Sequence, residues 1–392
     1  MKNMNRRKFI GVSALAGMGA IVSPTMAVAS STAVLKKTPE KFPTRKLGKT
    51  GMKIPILSMG VMRADNPAVV RAAYNSGITH FDTANGYQKG RNEEMLGEFF
   101  KDKDRKSFTI ATKGKPNLKS ETFEADFDEL LNTSLRRLQM DYVDIYFVHA
   151  IDNLEDLSNP KLVKALKKIK EEGKAKHIGF STHANKPAQI DEAVKVGIYE
   201  VCLLSYNFKL GILPELDAAI QRGVKAGMGF IAMKSMTGGV EDVDGKKKVD
   251  GAACLRWVWQ NPNIATAIPG FTSFDLLDNC LEAARRPKLD DVDKKYLADL
   301  RDKELLYCQN CGQCVEQCTK NLPIPTIMRA YMYNYGYKYP SLSKETLENV
   351  ALSGNDCAGC SGCTVNCPSG FKVAEKIAAI TPIVNVPSYF LT

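Results

Sequence analysis

No apolar run in this chain reaches the ~20 residues that a helix needs to cross a bilayer; the N-terminal run from Gly11 to Val22 stops short. No Gly-x-Gly-x-x-Gly follows the first strand-like segment, which argues against an open, doubly wound dinucleotide-binding sheet. The net charge of +11 does not gather into a stripe either. Lys164, Lys167, Lys168 and Lys170 sit at surface-type helical positions and read as a solvated face, so no nucleic-acid partner is expected.

With 392 residues, the chain exceeds what one compact core usually organises, and a large catalytic domain with a smaller appendage is expected. Residues 1–29 read as a signal peptide: Asn5-Arg6-Arg7-Lys8-Phe9-Ile10, the apolar run, then Ala27-Val28-Ala29 as a small-x-small cleavage site. The paired arginines point to twin-arginine export and a periplasmic location. That route carries folded proteins and suits cofactors inserted in the cytoplasm. An uncleaved anchor is the alternative, but the run is short for it.

Residues 46–285 alternate short β-branched runs with amphipathic helical patterns, the mark of repeated βα units. Eight candidate strands centre on Leu57–Gly60, Thr79–Asp82, Phe108–Thr112, Val143–Val148, His177–Phe180, Val201–Leu204, Phe230–Met233 and Ala265–Ile268. Eight units in this length predict a closed (β/α)8 TIM barrel. Gly77, Gly173, Gly197 and Gly223 are read as helix C-caps. A connecting helix is expected over 286–306. A smaller, mainly α-helical domain is expected over 307–392, with a Tyr-rich stretch from Tyr331 to Tyr339.

Catalytic groups of such a barrel project from the C-terminal ends of its strands. Asp82 ends the second strand, Tyr87 follows it, Lys113 follows the third and His149 the fourth. Singly, each has a bland reading as a cap, packing residue, solvated cation or core imidazole. Together they make an acid, with Lys113 expected to stabilise phenolate at Tyr87 and lower its pKa, Asp82 to hold Lys113, and His149 to orient a carbonyl or relay a proton.

Phe81-Asp82-Thr83-Ala84, Tyr87, Ala111-Thr112-Lys113 and Val148-His149 resemble the Asp, Tyr, Lys, His tetrad of the aldo-keto reductases. Ile178-Gly179-Phe180-Ser181, Tyr206-Asn207, Met233-Lys234-Ser235 and Ile268-Pro269-Gly270 follow in the family's order. The resemblance implies hydride transfer between NAD(P)H and a small-molecule carbonyl or alcohol, with Tyr87 protonating the carbonyl oxygen and Tyr206 stacking on the nicotinamide. It also implies cofactor contacts from Ser181, Lys234, Gly270, Thr272 and Asn279. The chain departs from the family at the carboxamide, where Ser181-Thr182 and Leu203 replace the usual Ser-Asn and Gln. Asp275 or Leu276 stands where a basic residue usually meets the 2′-phosphate.

Eight of the eleven cysteines form two blocks, Cys308, Cys311, Cys314, Cys318 and Cys357, Cys360, Cys363, Cys367, each spaced x2, x2, x3, with Pro368 after the second. This spacing places three thiolates around a cubane while the fourth commonly ligates the other cluster. By that ferredoxin analogy Cys308, Cys311, Cys314 and Cys367 hold one [4Fe-4S] cluster, and Cys357, Cys360, Cys363 and Cys318 the other. Zinc and disulfides are the alternatives. The 38 residues between the blocks resemble the α-helical ferredoxin arrangement. Cys202, Cys254 and Cys280 lie in strand and helix patterns and are expected in the core.

Two functions follow. One is an exported carbonyl reductase or alcohol dehydrogenase whose clusters exchange electrons with a partner protein. The other is an electron-transfer or binding protein that keeps the barrel as a scaffold without nicotinamide turnover.

Overall fold

The structure, a computed structural model, describes residues 41–237, 250–301, 307–354, 356–357, 360, 362–368 and 370–391. The expected signal peptide, most of the 238–250 loop and the end of the connecting helix lie outside the described residues. An antiparallel hairpin, β1 (Thr44–Lys46) with β2 (Lys53–Pro55), precedes eight parallel strands in sequential order. These are β3 (Met59–Gly60), β4 (His80–Asp82), β5 (Thr109–Gly114), β6 (Val143–Val148), β7 (Ala175–Thr182), β8 (Val201–Ser205), β9 (Gly229–Met233) and β10 (Ile264–Ala267). Each coincides with one of the eight runs expected from sequence.

The ring closes between its first and last strands through bridges Leu57↔Ala267 and Gly60↔Gly270, with Ser58 N–H donating to the Ala267 carbonyl at 2.9 Å. Glycine is required at this seam, since a Cβ on Gly60 would lie 2.7 Å from the Ile268 carbonyl oxygen. Alternation along the strands divides the apolar residues in two. Ala111, Ile145, Phe147, Val201, Leu203 and Ile231 fill the interior, with Leu47 and Ile54 of the hairpin region packed among them. Ile110, Tyr146, Phe180, Cys202, Leu204 and Phe230 face the helices.

The helices between strands are α1 (Pro67–Asn75), α2 (Arg91–Phe100), α3 (Phe123–Leu138), α4 (Leu154–Leu157), α5 (Pro160–Glu171), α6 (Lys186–Val196), α7 (Leu213–Ala226) and α8 (Gly251–Gln260), and α9 (Phe274–Arg285) follows β10. Gly77, Gly173 and Gly197 take positive φ just past helix ends, as expected, but Gly223 does not cap α7. It lies inside the helix where a Cβ would meet Phe230 at 2.5 Å, and Gly227 at φ +97° is the cap. A glycine in a helical pattern serves close packing as readily as termination.

Beyond the barrel, α10 (Asp291–Arg301) is pinned to α8 by Arg256 and Asp293 at 2.6 Å. Next come α11 (Ile324–Tyr331), a π-helical turn Met332–Gly336, α12 (Pro340–Glu348) and α13 (Val373–Ile380). Their core, built on Ile324, Ile327, Met328, Leu347, Phe371 and Ile377, is continuous with Phe208, Ala253 and Cys254 of the barrel. The described residues belong to one compact unit. Cys202, Cys254 and Cys280 are buried in the core, as expected, and burial pushes the thiols of Cys254 and Cys280 up to about 12.

Candidate active site

The alternation that fills the barrel also aims its strand ends. Phe81 and Ile110 face the helices, so Asp82 and Lys113 face inward; Phe147 faces inward, and so does the position of His149 two residues on. Lys113 and Asp82 meet across adjacent strands, Nζ donating to Oδ1 at 2.6 Å with both side chains almost wholly buried. Lys113 also donates to the Thr83 carbonyl. Its ammonium lies 4.7 Å from the centre of the Tyr87 ring, and the His149 ring stands edge-on to Tyr87 at 5.7 Å. The structure thus brings all four expected residues together.

A polar layer beneath fixes this arrangement. Thr112 donates to Glu93 at 2.6 Å, Thr83 donates to Asn92 at 2.7 Å, and Asn92 donates to the Val61 carbonyl at 2.8 Å. Arg137 donates to the Asn85 carbonyl and to Glu93. Gln88 and Lys89, right after Tyr87, both adopt left-handed backbone (φ 52° and 57°), so the turn presenting the phenol is itself strained.

The electrostatics differ from expectation at one point. Tyr87 is not lowered: burial raises its pKa well above the usual phenol value, helped by Asp82 and by Tyr333 and Tyr337. Desolvation of the buried phenol outweighs the Lys113 ammonium, which is hydrogen-bonded to Asp82. Burial pushes Asp82 up and Lys113 down, while each draws the other back toward its charged form. His149 is held well below 6.5, by burial first and then by Lys113, Arg329 and Lys115, so its imidazole is neutral near pH 7.

Residues that sequence reasoning missed complete the mouth. His183, buried with Nδ1 unpartnered among the described residues, follows Ser181 by two positions and so shares its inward parity. Asp152 accepts from the N–H groups of His183 (2.8 Å) and Ala184 (3.1 Å) and pairs with Arg329 of α11 at 3.3 Å. Arg63 lies over the Tyr337 ring at 4.6 Å. Strand parity could have found His183; nothing local in the sequence announces Arg329, Tyr333 or Tyr337.

The two cysteine blocks lie against each other, Thr364 donating to the Gln317 carbonyl at 2.6 Å and Asn366 N–H to Gln317 at 2.7 Å. The thiol neighbours of Cys308 are Cys311, Cys314 and Cys367, whereas those of Cys357 are Cys360, Cys318 and Cys363. Cys314 is acted on by Cys318 as well as by Cys311 and Cys367, so Cys318 stands near both groups, and among the described residues no three ligating side chains converge on a single metal ion; the crossed partition is what the ferredoxin analogy implies. The first site abuts the barrel: Asn207 donates to Gln309 at 2.8 Å, Gln309 to the Thr237 carbonyl at 3.2 Å, and Lys186 to the Asn310 carbonyl at 3.0 Å.

Residues 51–248 match the aldo/keto reductase family model, and residues 307–374 match the 4Fe-4S dicluster domain. The chain belongs to the aldo-keto reductase family. It is 28% identical over 291 residues to the probable aldo-keto reductase 1 of Glycine max, covering 61% of this chain and 83% of that protein. It is 34% identical over 156 residues to the L-galactose dehydrogenase of Arabidopsis thaliana, covering 36% and 49%. The holo form of AKR11C1 from Bacillus halodurans superposes with a TM-score of 0.55 at 21% identity, covering 66% of this chain and 96% of that one. The Klebsiella pneumoniae aldo-keto reductase in complex with NADPH superposes at 0.54 and 22%, covering 67% and 96%. This chain is thus an oxidoreductase that joins an aldo-keto reductase barrel to a [4Fe-4S] dicluster region.

Within this aldo-keto reductase the expected nicotinamide contacts are placed unevenly. Tyr206 is 2% exposed, stacks on Trp257 at 5.4 Å and donates to Asp217 at 2.7 Å, so its ring faces the helical layer and not the mouth. The alternation explains it: Leu204 faces the helices, and Tyr206 continues on that side. Leu203 fills the interior, and Ser181 Oγ accepts from Ala150 N–H at 2.8 Å. Lys234, at φ +52° just past β9, is half-buried among Arg329, Lys186 and Cys308. Gly270 lies at the barrel seam, while Thr272 and Asn279 are exposed, before and on α9.

Proposed function

We propose that this protein is an exported oxidoreductase that reduces a small-molecule carbonyl, or oxidises the matching alcohol, with electrons exchanged through two [4Fe-4S] clusters. The observation that carries it is the buried Lys113–Asp82 pair under Tyr87, with His149 edge-on to the same ring. The raised pKa keeps Tyr87 a protonated donor through the neutral range. A carbonyl oxygen at its hydroxyl receives that proton as negative charge develops, and the Lys113 ammonium against the ring stabilises the phenolate left behind in a low-dielectric site. Neutral His149 donates a hydrogen bond to the same oxygen. Tyr333 and Tyr337, whose rings pair at 5.8 Å, stand in the field of Tyr87 and help keep it protonated.

Cys308, Cys311, Cys314 and Cys367, and Cys318, Cys357, Cys360 and Cys363, hold the two clusters, which supply one-electron chemistry when bound. NAD(P)H enters on the family resemblance alone. The arginine pair Arg6-Arg7, the apolar run and Ala27-Val28-Ala29 support export to the periplasm. Away from the cytoplasmic nicotinamide pool, a redox partner protein is the expected source or sink of electrons.

The test is anaerobic purification from the periplasmic fraction, with iron and sulfide analysis, NADH and NADPH titration, and turnover of carbonyl substrates before and after Tyr87→Phe. Undiminished turnover in the variant rules out the assigned acid, and recovery of the protein only from the cytoplasm rules out export. A second reading, an electron-transfer protein with the barrel as scaffold, draws on the burial of Tyr206 against Trp257. Clusters without nicotinamide binding or carbonyl turnover favour it.

A further inference from the structure

Lys186 is a fully buried lysine at the start of α6, and among the described residues Asn310 is its one hydrogen-bond acceptor, through the backbone carbonyl at 3.0 Å. A buried ammonium is costly unless a negative charge compensates it. Asp152 lies within its field but is already engaged by Arg329 and by two backbone N–H groups. The negative groups that act on Lys186 more strongly than Asp152 are Cys311 and Cys308. Lys234 and Arg329 stand in the same field, and burial lowers Lys186 to about 8 and Lys234 to about 7, so at pH 7 Lys186 is mostly charged while Lys234 is divided between its two forms, and a nearby negative group draws both toward the cation.

The thiolates and inorganic core of a [4Fe-4S] site supply the missing negative charge, and the reduced core carries one unit more than the oxidised core. A fixed cation in a buried site therefore favours reduction. A further polar atom fits the same group: Asn310 Nδ2, between Cys308 and Cys311 in the chain, is buried with no partner among the described residues.

We propose that Lys186, with Lys234 beside it, raises the reduction potential of the cluster held by Cys308, Cys311, Cys314 and Cys367. The inference rests on the cluster assignment above and concerns a tuning residue, not a catalytic one. Lys186 is bonded to the carbonyl of Asn310, between Cys308 and Cys311, so the larger effect falls on the centre those two cysteines hold.

The experiment is an EPR-monitored redox titration of the anaerobic holoprotein, with iron and sulfide analysis of every variant. Lys186→Gln removes the charge but keeps a donor for the Asn310 carbonyl, and Lys186→Arg keeps the charge. In Lys186→Gln, one reduced-cluster signal is expected to need at least a tenfold larger driving ratio, a fall of about 59 mV for one electron. The second signal shifts less, and Lys186→Arg follows the parent. Unchanged potentials in Lys186→Gln with full iron overturn the inference and leave Lys186 as a clamp on Asn310. Should that variant lose iron, Lys234→Gln reads the same field, with a smaller downward shift expected and an unchanged potential overturning the inference. A parent protein without iron overturns the cluster assignment itself, and so is distinguishable from failure of Lys186 alone.

Discussion

Replacing Lys113 by Met tests whether the buried pair is the support of the site. Lys113 and Asp82 are 2% and 3% exposed, and Asp82 Oδ2 has no partner among the described residues. Removing the ammonium strips the remaining bond from Oδ1 and leaves a carboxylate alone in the barrel, at a cost of about 3–5 kcal/mol. With an unfolding entropy of about 2.1 cal/mol/K per residue over a compact unit of about 350 residues, the melting point is expected to fall by about 4–7 °C. Asp82→Asn added to Lys113→Met removes the uncompensated charge and is expected to restore most of that loss, while both variants stay inactive. Anaerobic calorimetry of the holoprotein at one scan rate measures this. A double variant that melts as low as the single one refutes charge compensation as the source of the stability, and a single variant that melts with the parent refutes the pair's role altogether.

The pH dependence of carbonyl reduction follows from two shifts. The donor form of Tyr87 persists until the pH exceeds its raised pKa, and the neutral form of His149 is present at any pH above a value well below 6.5. Reduction is therefore expected to stay level from about pH 6.5 to about pH 10, and a steady-state profile with an ionisation near neutrality contradicts it. The crossed cysteines give a separate test. Cys367→Ser is expected to abolish the same EPR signal as Cys308→Ser, and Cys318→Ser the same signal as Cys357→Ser. Loss of one signal by Cys367→Ser and Cys360→Ser together contradicts the crossing.

The barrel was legible because each strand is a compact β-branched run, and its mouth because strand ends carry the polar residues. Asp82, Lys113 and His149 were found by position alone. Tyr206 and Gly223 were misread for want of a finer rule. The inward and outward alternation of Val201 to Leu204 already puts Tyr206 on the helical side. A glycine followed four residues later by a second, Gly227, is the packing residue and not the stop. The direction of the Tyr87 shift was missed for a different reason. It depends first on how deeply the phenol is buried, then on Asp82 and on two tyrosines from more than two hundred residues away, and neither the burial nor the tyrosines are a local property of the chain.

That long-range contribution changes how the two halves of the molecule can be studied. Tyr333 and Tyr337 raise Tyr87, Arg329 depresses His149 and holds Asp152, and Gln309 and Asn310 bind Asn207 and Lys186. The tail is thus part of the acid as well as the seat of the clusters. A barrel cut away at residue 306 would lose both together, so its inactivity could not distinguish missing electrons from a displaced phenol. Single cysteine substitutions, which remove a cluster while Arg329, Tyr333 and Tyr337 keep their places in the sequence, separate the two contributions where truncation confounds them.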